Sequence, residues 1–221
     1  MIKTSLQFFG GRGATSSKNR SGKLGIGRKS GSKSIEKALK TINPNYHNAN
    51  AEAEGWQDNC QSCAISFEAM QRGYNVEALP HKPNDKFFYA DGKEHQWHEV
   101  FNKKSEIMPV GTNWRTAGCV WGIKGHTVPV NTAGQIEKQM KNWGDGARAT
   151  LVVAWKGRNA KSHILNVVNK GGKVIAVDTQ DGTTPSLKRL MGDTRRNWNA
   201  LTRVDNIGFN SDVKYLTKGK K

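Results

Sequence analysis

The chain is poor in acidic residues and cysteine and has no long apolar run. None of its 221 residues fall in a stretch of 18 consecutive apolar residues, so we expect no transmembrane helix. Three cysteines, a small and odd number, argue against a disulfide framework and favour folding in a reducing compartment. The apolar segment 6–9 is too short for the core of a secretory signal, so we expect no signal peptide.

The shortage of acids makes the chain strongly basic. Lys and Arg number 35 against 18 Asp and Glu, which gives a net charge of +17. Residues 1–40 hold ten of the basic residues and one acid in a Gly- and Ser-rich background. This composition predicts a disordered basic arm at 1–42, a folded domain at 43–215 and a basic tail at 216–221. The charge indicates an anionic partner such as nucleic acid, and a solvated linker without a partner is the alternative.

Segment 59–73 has the features of a helix that presents a thiol. Asn59 is a typical N-cap residue and Gly73 is typical of the position just beyond a helix end, so we predict a helix between them. Cys60 and Cys63 then lie near its positive end, where unpaired amides and the helix dipole favour a thiolate. Position in the first turn favours Cys60 as the nucleophile, whereas apolar neighbours would raise the pKa of Cys63.

A predicted β-hairpin carries a histidine and an aspartate. Lys170-Gly171-Gly172 separates two β-rich runs, and a two-residue turn there sets His163 opposite either Asp178 or Gln180, depending on which pair forms the turn. In both registers these three side chains share one face of the hairpin. Cross-strand neighbours are close enough for Asp178 to orient the His163 imidazole.

The remaining periodicity predicts an α+β fold in which the cysteine helix packs on an antiparallel sheet. Loops between Pro80 and Pro129 are expected to form the walls of a cleft, with Trp97, Trp114 and Trp121 among them. The other predicted elements are a helix at 132–143, strands at 149–155, 163–169 and 173–178, and a helix from residue 189.

Cysteine, histidine and aspartate together make up the set used by thiol hydrolases. His163 would take the thiol proton of Cys60, Asp178 would fix the tautomer, and the thiolate would attack a carbonyl or amide carbon. The backbone amide of the nucleophile and the side chain of Gln57 are candidate donors to the oxyanion. We expect neither a cofactor nor a metal.

Three motifs in combination resemble those of a known family: Asn59-Cys60-Gln61-Ser62-Cys63, His163-Ile164-Leu165-Asn166-Val167-Val168-Asn169 and Val177-Asp178-Thr179-Gln180-Asp181-Gly182. The family they resemble is the papain-fold toxin family, also described as toxin glutamine deamidase-like domains, which occur in polymorphic toxins and phage head-morphogenesis proteins. The resemblance covers about residues 43–185 and implies a papain-like thiol hydrolase that deamidates glutamine in a target protein. It implies a nucleophile at Cys60 or Cys63, a base at His163, an orienting carboxylate at Asp178 and a supporting polar residue at Gln180.

Two further likenesses bear on the nucleophile and on the source of the chain. Gln57 stands six residues before Cys63, as glutamine stands before the second cysteine in the papain-type Gln...Cys-x-Ser-Cys run, and this spacing favours Cys63. Residues 6–13 are similar to openings common among phage structural proteins. That likeness implies a phage-encoded protein located in the virion or the host cytoplasm, with segment 1–40 in contact with capsid or DNA.

Four alternatives remain open. The same fold and triad would serve a cysteine protease, and the basic composition would suit a virion or nucleic-acid-associated protein without enzymatic activity. A zinc site could use Cys60, Cys63, His95 and His98, although the 31 residues between the two pairs exceed finger spacing. A thioredoxin-like redox site would explain two cysteines at a helix start, but it lacks the βαβ context.

Overall fold

The structure is a computed structural model that describes residues 24–81, 95–109, 119–157 and 161–220. It has an α+β fold whose paired strands are antiparallel, as predicted. Among the helices it describes, none is long and apolar enough to cross a membrane. The elements are α1 (Ile35–Thr41), α2 (Cys60–Gln71), α3 (Ala133–Trp143), α4 (Leu187–Gly192), a 3-10 helix (Ser211–Tyr215), β1 (Val76–Ala78), β2 (Ser105–Pro109), β3 (Cys119–Ile123), β4 (Thr127–Pro129), β5 (Arg148–Ala154), β6 (Ser162–Lys170), β7 (Lys173–Val177), β8 (Ala200–Arg203) and β9 (Thr217–Gly219).

The main sheet has five strands in the order β4-β8-β5-β6-β7. Strand β6 is buried on both faces, because side chains alternate along a strand and both faces of this sheet are covered. Ile164 and Val168 belong to the core that contains α2, whereas Leu165 and Val167 belong to the core that contains α3 and α4. The three strands predicted for this region agree with β5, β6 and β7 to within one residue at each end.

Helix α2 lies between the main sheet and a second layer formed by β1 and β9. Residues 62–70 are all buried, including the polar side chains of Ser62, Ser66 and Glu68. The periodicity of α2 predicts one apolar face, but the structure covers the helix on all sides. The reason is that segments from both ends of the chain pack over the side that faces away from β6.

The N-terminal part of this cover was predicted to be disordered, and that prediction is wrong from residue 24 onward. Helix α1 begins after a capping serine, and its buried side chains join the core around α2. Those side chains, Ile35 and Ala38, together with Ile42, lie at helical spacing, but the lysines and serines between them make the composition resemble an unfolded arm. The first 23 residues of the predicted arm 1–42 lie outside the described residues.

The predicted basic tail 216–221 also contributes to the fold instead of projecting from it. Leu216 is fully buried, and β9 pairs with β1 so that Thr217 lies opposite Ala78. Lys220 donates from Nζ to the Thr41 carbonyl at 2.9 Å. Backbone groups make the hydrogen bonds of a strand pair, so a basic composition does not prevent pairing.

A buried carboxylate at the end of α2 joins the helix to the main sheet. Glu68 has no exposed surface. Arg148 donates to both of its oxygens, from Nε to Oε2 at 2.7 Å and from Nη2 to Oε1 at 2.9 Å, and Arg72 Nε donates to Oε1 at 2.7 Å. Arg72 also donates to the Val204 carbonyl and lies 4.2 Å from the centroid of the Phe209 ring. The bidentate pair with Arg148 and the additional charge of Arg72 offset the free-energy cost of removing this carboxylate from water.

We predict that Glu68→Gln lowers the free energy of unfolding by about 3 kcal/mol, because it leaves two partly buried arginines without their counter-ion. Urea unfolding at pH 7 measures this change. The matched control is Asp58→Asn, which breaks the exposed pair between Lys161 Nζ and Asp58 Oδ1 at 3.1 Å. That change is expected to lower stability by about 1 kcal/mol or less. Equal losses in the two variants would contradict the special role of Glu68.

Candidate active site

Cys60 is the first residue of α2 and opens onto a cleft of about 240 Å³. The cleft lies between the start of α2, strands β3, β5 and β6, and the segment before residue 98. Trp97 and Trp121, two of the tryptophans predicted to form walls, line it. Trp114, the third, lies outside the described residues. Because the thiol is partly exposed at the positive end of a helix, it is accessible to a substrate that enters this cleft.

Asn59 does not cap α2 with its side chain, contrary to the prediction. It is buried, and its side chain points into a polar network behind the helix start. Nδ2 donates to the Leu79 carbonyl at 3.1 Å, while Oδ1 accepts from Asn43 Nδ2 at 3.2 Å and from the Cys63 thiol at 3.3 Å. The amides of the first turn, beginning at Cys60, are therefore left without a side-chain cap.

The β6–β7 hairpin closes at Gly171-Gly172, the second of the two predicted turns. Both glycines have positive φ, 59° and 79°, as a two-residue type I′ turn requires. The last rung of the ladder pairs Asn166 with Val177, so Asp178 lies just beyond the end of β7. Its Oδ2 is nevertheless 2.6 Å from His163 Nε2, so the structure brings together the two residues predicted to pair.

The loop after β7 fixes the other side of the Asp178 carboxylate. Oδ1 accepts from the backbone amide of Gln180 at 3.1 Å, and the backbone of Asp178 makes two hydrogen bonds of 2.9 Å with Thr183. The side chain of Gln180 donates from Nε2 to the Gln57 carbonyl at 2.9 Å. Gln180 thus joins the loop of residues 178–183, called here the aspartate loop, to the segment that leads into α2.

His163 is the link between the carboxylate and the thiol. Asp178 occupies Nε2, which leaves Nδ1 as the ring nitrogen available to Cys60, which lines the same cleft. Burial lowers the pKa of His163, but the hydrogen bond to Asp178 and the charges of Asp178 and Cys60 outweigh burial and raise the pKa to about 10. The Trp155 ring lies nearly parallel to the imidazole, with centroids 6.0 Å apart. A raised pKa of His163 favours an imidazolium that forms an ion pair with a Cys60 thiolate.

Cys63 lies one turn further along α2, inside the core. It is 1 % exposed, and burial raises the pKa of its thiol well above the usual range, with a smaller contribution from the charge of Cys60. Its thiol donates to Asn59, and its carbonyl accepts from Thr179 Oγ1 at 3.1 Å. Of the two candidate nucleophiles, the structure places only Cys60 on the cleft beside His163.

The two glutamines nearest the nucleophile differ in position. Gln57, the predicted oxyanion donor, is exposed, and its Nε2 donates to the Tyr46 carbonyl at 3.1 Å. It is not among the residues that line the cleft. Gln61 does line the cleft, and its Oε1 accepts from the Trp97 backbone amide at 2.8 Å.

The histidines of the alternative zinc site have other surroundings. His95 stacks on Tyr215 with centroids 3.9 Å apart, and His98 stacks on Trp121 at 4.8 Å. His98 is buried, and burial lowers its pKa to about 4, so it is neutral at pH 7. Within the described ranges, no group of three or more His, Cys, Asp or Glu side chains is arranged to hold a metal ion.

Asn43 contributes to this site although no sequence motif indicates it. Its Nδ2, which has two hydrogens, lies within hydrogen-bond distance of three acceptors: the Trp56 carbonyl at 2.9 Å, Asn59 Oδ1 at 3.2 Å and the Gln180 carbonyl at 2.9 Å. It therefore joins the start of α2 to the aspartate loop. The only local signal is the following Pro44, which indicates a turn, and nothing in the local pattern indicates a partner 137 residues away.

Comparison with curated proteins and with solved structures gives no match. Residues 58–183 match the family described as papain fold toxin 1, glutamine deamidase. The matched span is more than half of the 221 residues and includes Cys60, His163 and Asp178. It agrees with the resemblance carried by the motifs and with the α+β fold, and the chain therefore belongs to the papain-fold toxin 1 glutamine deamidase family.

Proposed function

We propose that this chain is a cysteine-dependent amidohydrolase of toxin type that deamidates glutamine side chains in a target protein. Cys60 is the nucleophile, His163 is the base and acid, and Asp178 orients the imidazole. Family membership supports the reaction class. The observation that carries the residue roles is the position of His163, which is hydrogen-bonded to Asp178 through Nε2 and lines the same cleft as Cys60.

The reaction begins from the ion pair in which His163 already holds the proton of the Cys60 thiol, and the thiolate attacks the side-chain amide carbon of glutamine. A sulfur–carbon bond forms, and the π electron pair of the carbonyl moves to oxygen. Collapse of this oxyanion breaks the carbon–nitrogen bond, and the nitrogen leaves as ammonia with a proton from His163. Water then gives a proton to His163 and attacks the thioester. The carbon–sulfur bond breaks, glutamate is released, and Cys60 and His163 return to the starting ion pair.

The start of α2 supports this assignment because its first-turn amides have no side-chain cap. Such amides, together with the helix dipole, stabilise negative charge on the thiolate and on the oxygen of the tetrahedral intermediate. The imidazolium of His163 adds a positive charge on the same side of Cys60. Both features lower the energy of states in which negative charge develops at this position.

The walls of the cleft are compatible with a glutamine side chain. The apolar side chains of Val120, Val152 and Ile164 line the cleft, and they suit the methylene groups of a glutamine. A cysteine protease of the same fold is the alternative, and the reaction products distinguish the two.

The basic N-terminal segment supports a second part of the proposal, which concerns location and partners. Residues 1–40 carry ten lysines or arginines and one acid, a composition that favours contact with an anionic polymer. Together with the likeness of residues 6–13 to phage structural proteins, this supports contact with phage DNA or capsid. The corresponding location is the virion or the host cytoplasm.

We predict that Cys60→Ala lowers the rate of ammonia release from a glutamine substrate by at least about 10³-fold, because it removes the nucleophile. Cys63→Ala is expected to retain activity within about 3-fold, because its buried thiol does not reach the cleft. The assay is ammonia release from benzyloxycarbonyl-Gln-Gly by the full chain. The opposite pattern, with activity lost only in Cys63→Ala, would assign the nucleophile to Cys63.

Mass spectrometry of host-cell proteins treated with the full chain separates deamidase from protease. Deamidation is expected to add about one dalton to peptides that contain a modified glutamine, because the acyl-enzyme is hydrolysed to glutamate. Proteolysis would instead create new protein termini. Cys60→Ala protein is the control, and any change that persists with it does not come from this site. New termini without glutamine conversion would replace the deamidase proposal with the protease.

We predict that Asp178→Asn lowers the pKa of His163 from about 10 toward the ordinary value of 6.5, because the carboxylate charge is lost. NMR titration of the imidazole measures the shift, and His98, with a pKa of about 4, is an internal control that should not move. Folding raises the pKa of His163, so its contribution to stability is complete below about pH 6.5 and is lost as the pH rises through about 10. The variant should show less of this pH dependence, and an unchanged His163 titration would refute the pairing.

A further inference from the structure

Gln61 places an amide group inside the cleft, next to the nucleophile in sequence. It follows Cys60 on α2, and both residues line the same cleft. Its Oε1 accepts a hydrogen bond of 2.8 Å from the Trp97 backbone amide. The side chain is thus held at one end by a backbone group of the cleft wall.

The hydrogen bond to Trp97 also determines which way the Gln61 amide points. A backbone N–H can only donate, so the atom that faces it must be the oxygen of the side-chain amide. The Nε2 group, with two donor hydrogens, then lies on the side away from Trp97. In the part of the chain that the structure describes, no group accepts a hydrogen bond from Gln61 Nε2.

Gln57 lacks these features. Its Nε2 is occupied by the Tyr46 carbonyl, and its backbone carbonyl holds Gln180. To act in the cleft, its side chain would have to leave Tyr46 and move to another position. Gln61 already lines the cleft and is held there by Trp97, and preorganised donors are the ones that stabilise a transition state most.

We propose that Gln61 Nε2 donates a hydrogen bond to the oxyanion that forms when the Cys60 thiolate attacks a carbonyl carbon, an inference that rests on the proposed function. The oxygen gains the π electron pair of the carbonyl and accepts the hydrogen bond, while the proton stays on Nε2. The bond is stronger to the oxyanion than to the neutral carbonyl, so it lowers the barrier more than it tightens binding. Gln61 is thereby a catalytic residue of the acylation step.

The test compares two reagents that consume the same thiolate. Acylation of Cys60 by p-nitrophenyl acetate passes through an oxyanion, whereas alkylation by iodoacetamide displaces iodide from carbon and forms none. The ratio of the two rate constants cancels any change in the thiolate fraction, because both reactions depend on it equally. Stopped-flow release of p-nitrophenolate gives the first rate constant, and mass spectrometry of the Cys60 peptide gives the second.

Gln61→Glu and Gln61→Ala are the informative variants. Glu retains an oxygen that can accept from Trp97 but removes the donor, so it separates catalysis from support of the cleft wall. Both variants are expected to lower the acylation-to-alkylation ratio by at least about 10-fold. They are also expected to lower kcat for ammonia release by about 10²–10³-fold with little change in KM. Gln71→Ala, at the far end of α2, is the matched control and should leave the ratio unchanged.

Three results decide the outcome. An unchanged ratio in Gln61→Glu and Gln61→Ala overturns the role of Gln61, whatever the physiological substrate. A fall in Gln57→Ala with no fall in the Gln61 variants also overturns it and returns the donor role to Gln57. Failure of the proposed function is a different observation, namely ammonia release from benzyloxycarbonyl-Gln-Gly that persists in Cys60→Ala.

Discussion

The geometry of the cleft depends on the hydrogen bonds that join the start of α2 to the loop after β7. Asn43 donates to both sides of this junction, to Asn59 Oδ1 and to the Gln180 carbonyl. Thr179 adds a third bond, to the carbonyl of Cys63. These bonds are buried, so each is directional and expensive to break. They fix the distance between a thiol on one element and an aspartate more than a hundred residues later, and none of the groups that make them takes part in chemistry.

The same geometry needs a helix that does not shift along its axis. Core packing surrounds α2 from Ser62 to Met70, and the buried carboxylate of Glu68 anchors its far end through Arg148 of β5. Cys60 is the point where the helix emerges from this packing, and β6, which carries His163, is held on both of its faces. A site that is built on such rigid elements keeps its donors and acceptors near the reactive arrangement without a substrate to order them.

The parts of this arrangement that the sequence predicts are those with a local cause. A Gly-Gly turn with flanking β-branched runs fixes the hairpin that carries His163, and Gly73, with φ of 94°, ends α2 as predicted. The ends of the domain were predicted wrongly, because lysine-rich composition conceals buried side chains that lie at helical spacing in α1. The roles of Asn59 and Gln57 depend on partners that are distant in sequence, such as Asn43 and Leu79, and local capping preference cannot anticipate them.

Three departures from local rules meet at this one cleft. Asn59 faces away from the helix it could cap, although a capping side chain contributes about 1 kcal/mol to helix stability. His163 has a raised pKa although it is largely buried, and Gln61 keeps a donor without a described partner. Each of the three leaves a positive charge or a hydrogen-bond donor near the start of α2. Under the proposed function negative charge forms there, on Cys60 or on the oxygen of its substrate, so the occurrence of all three at one cleft supports a reaction with an anionic transition state.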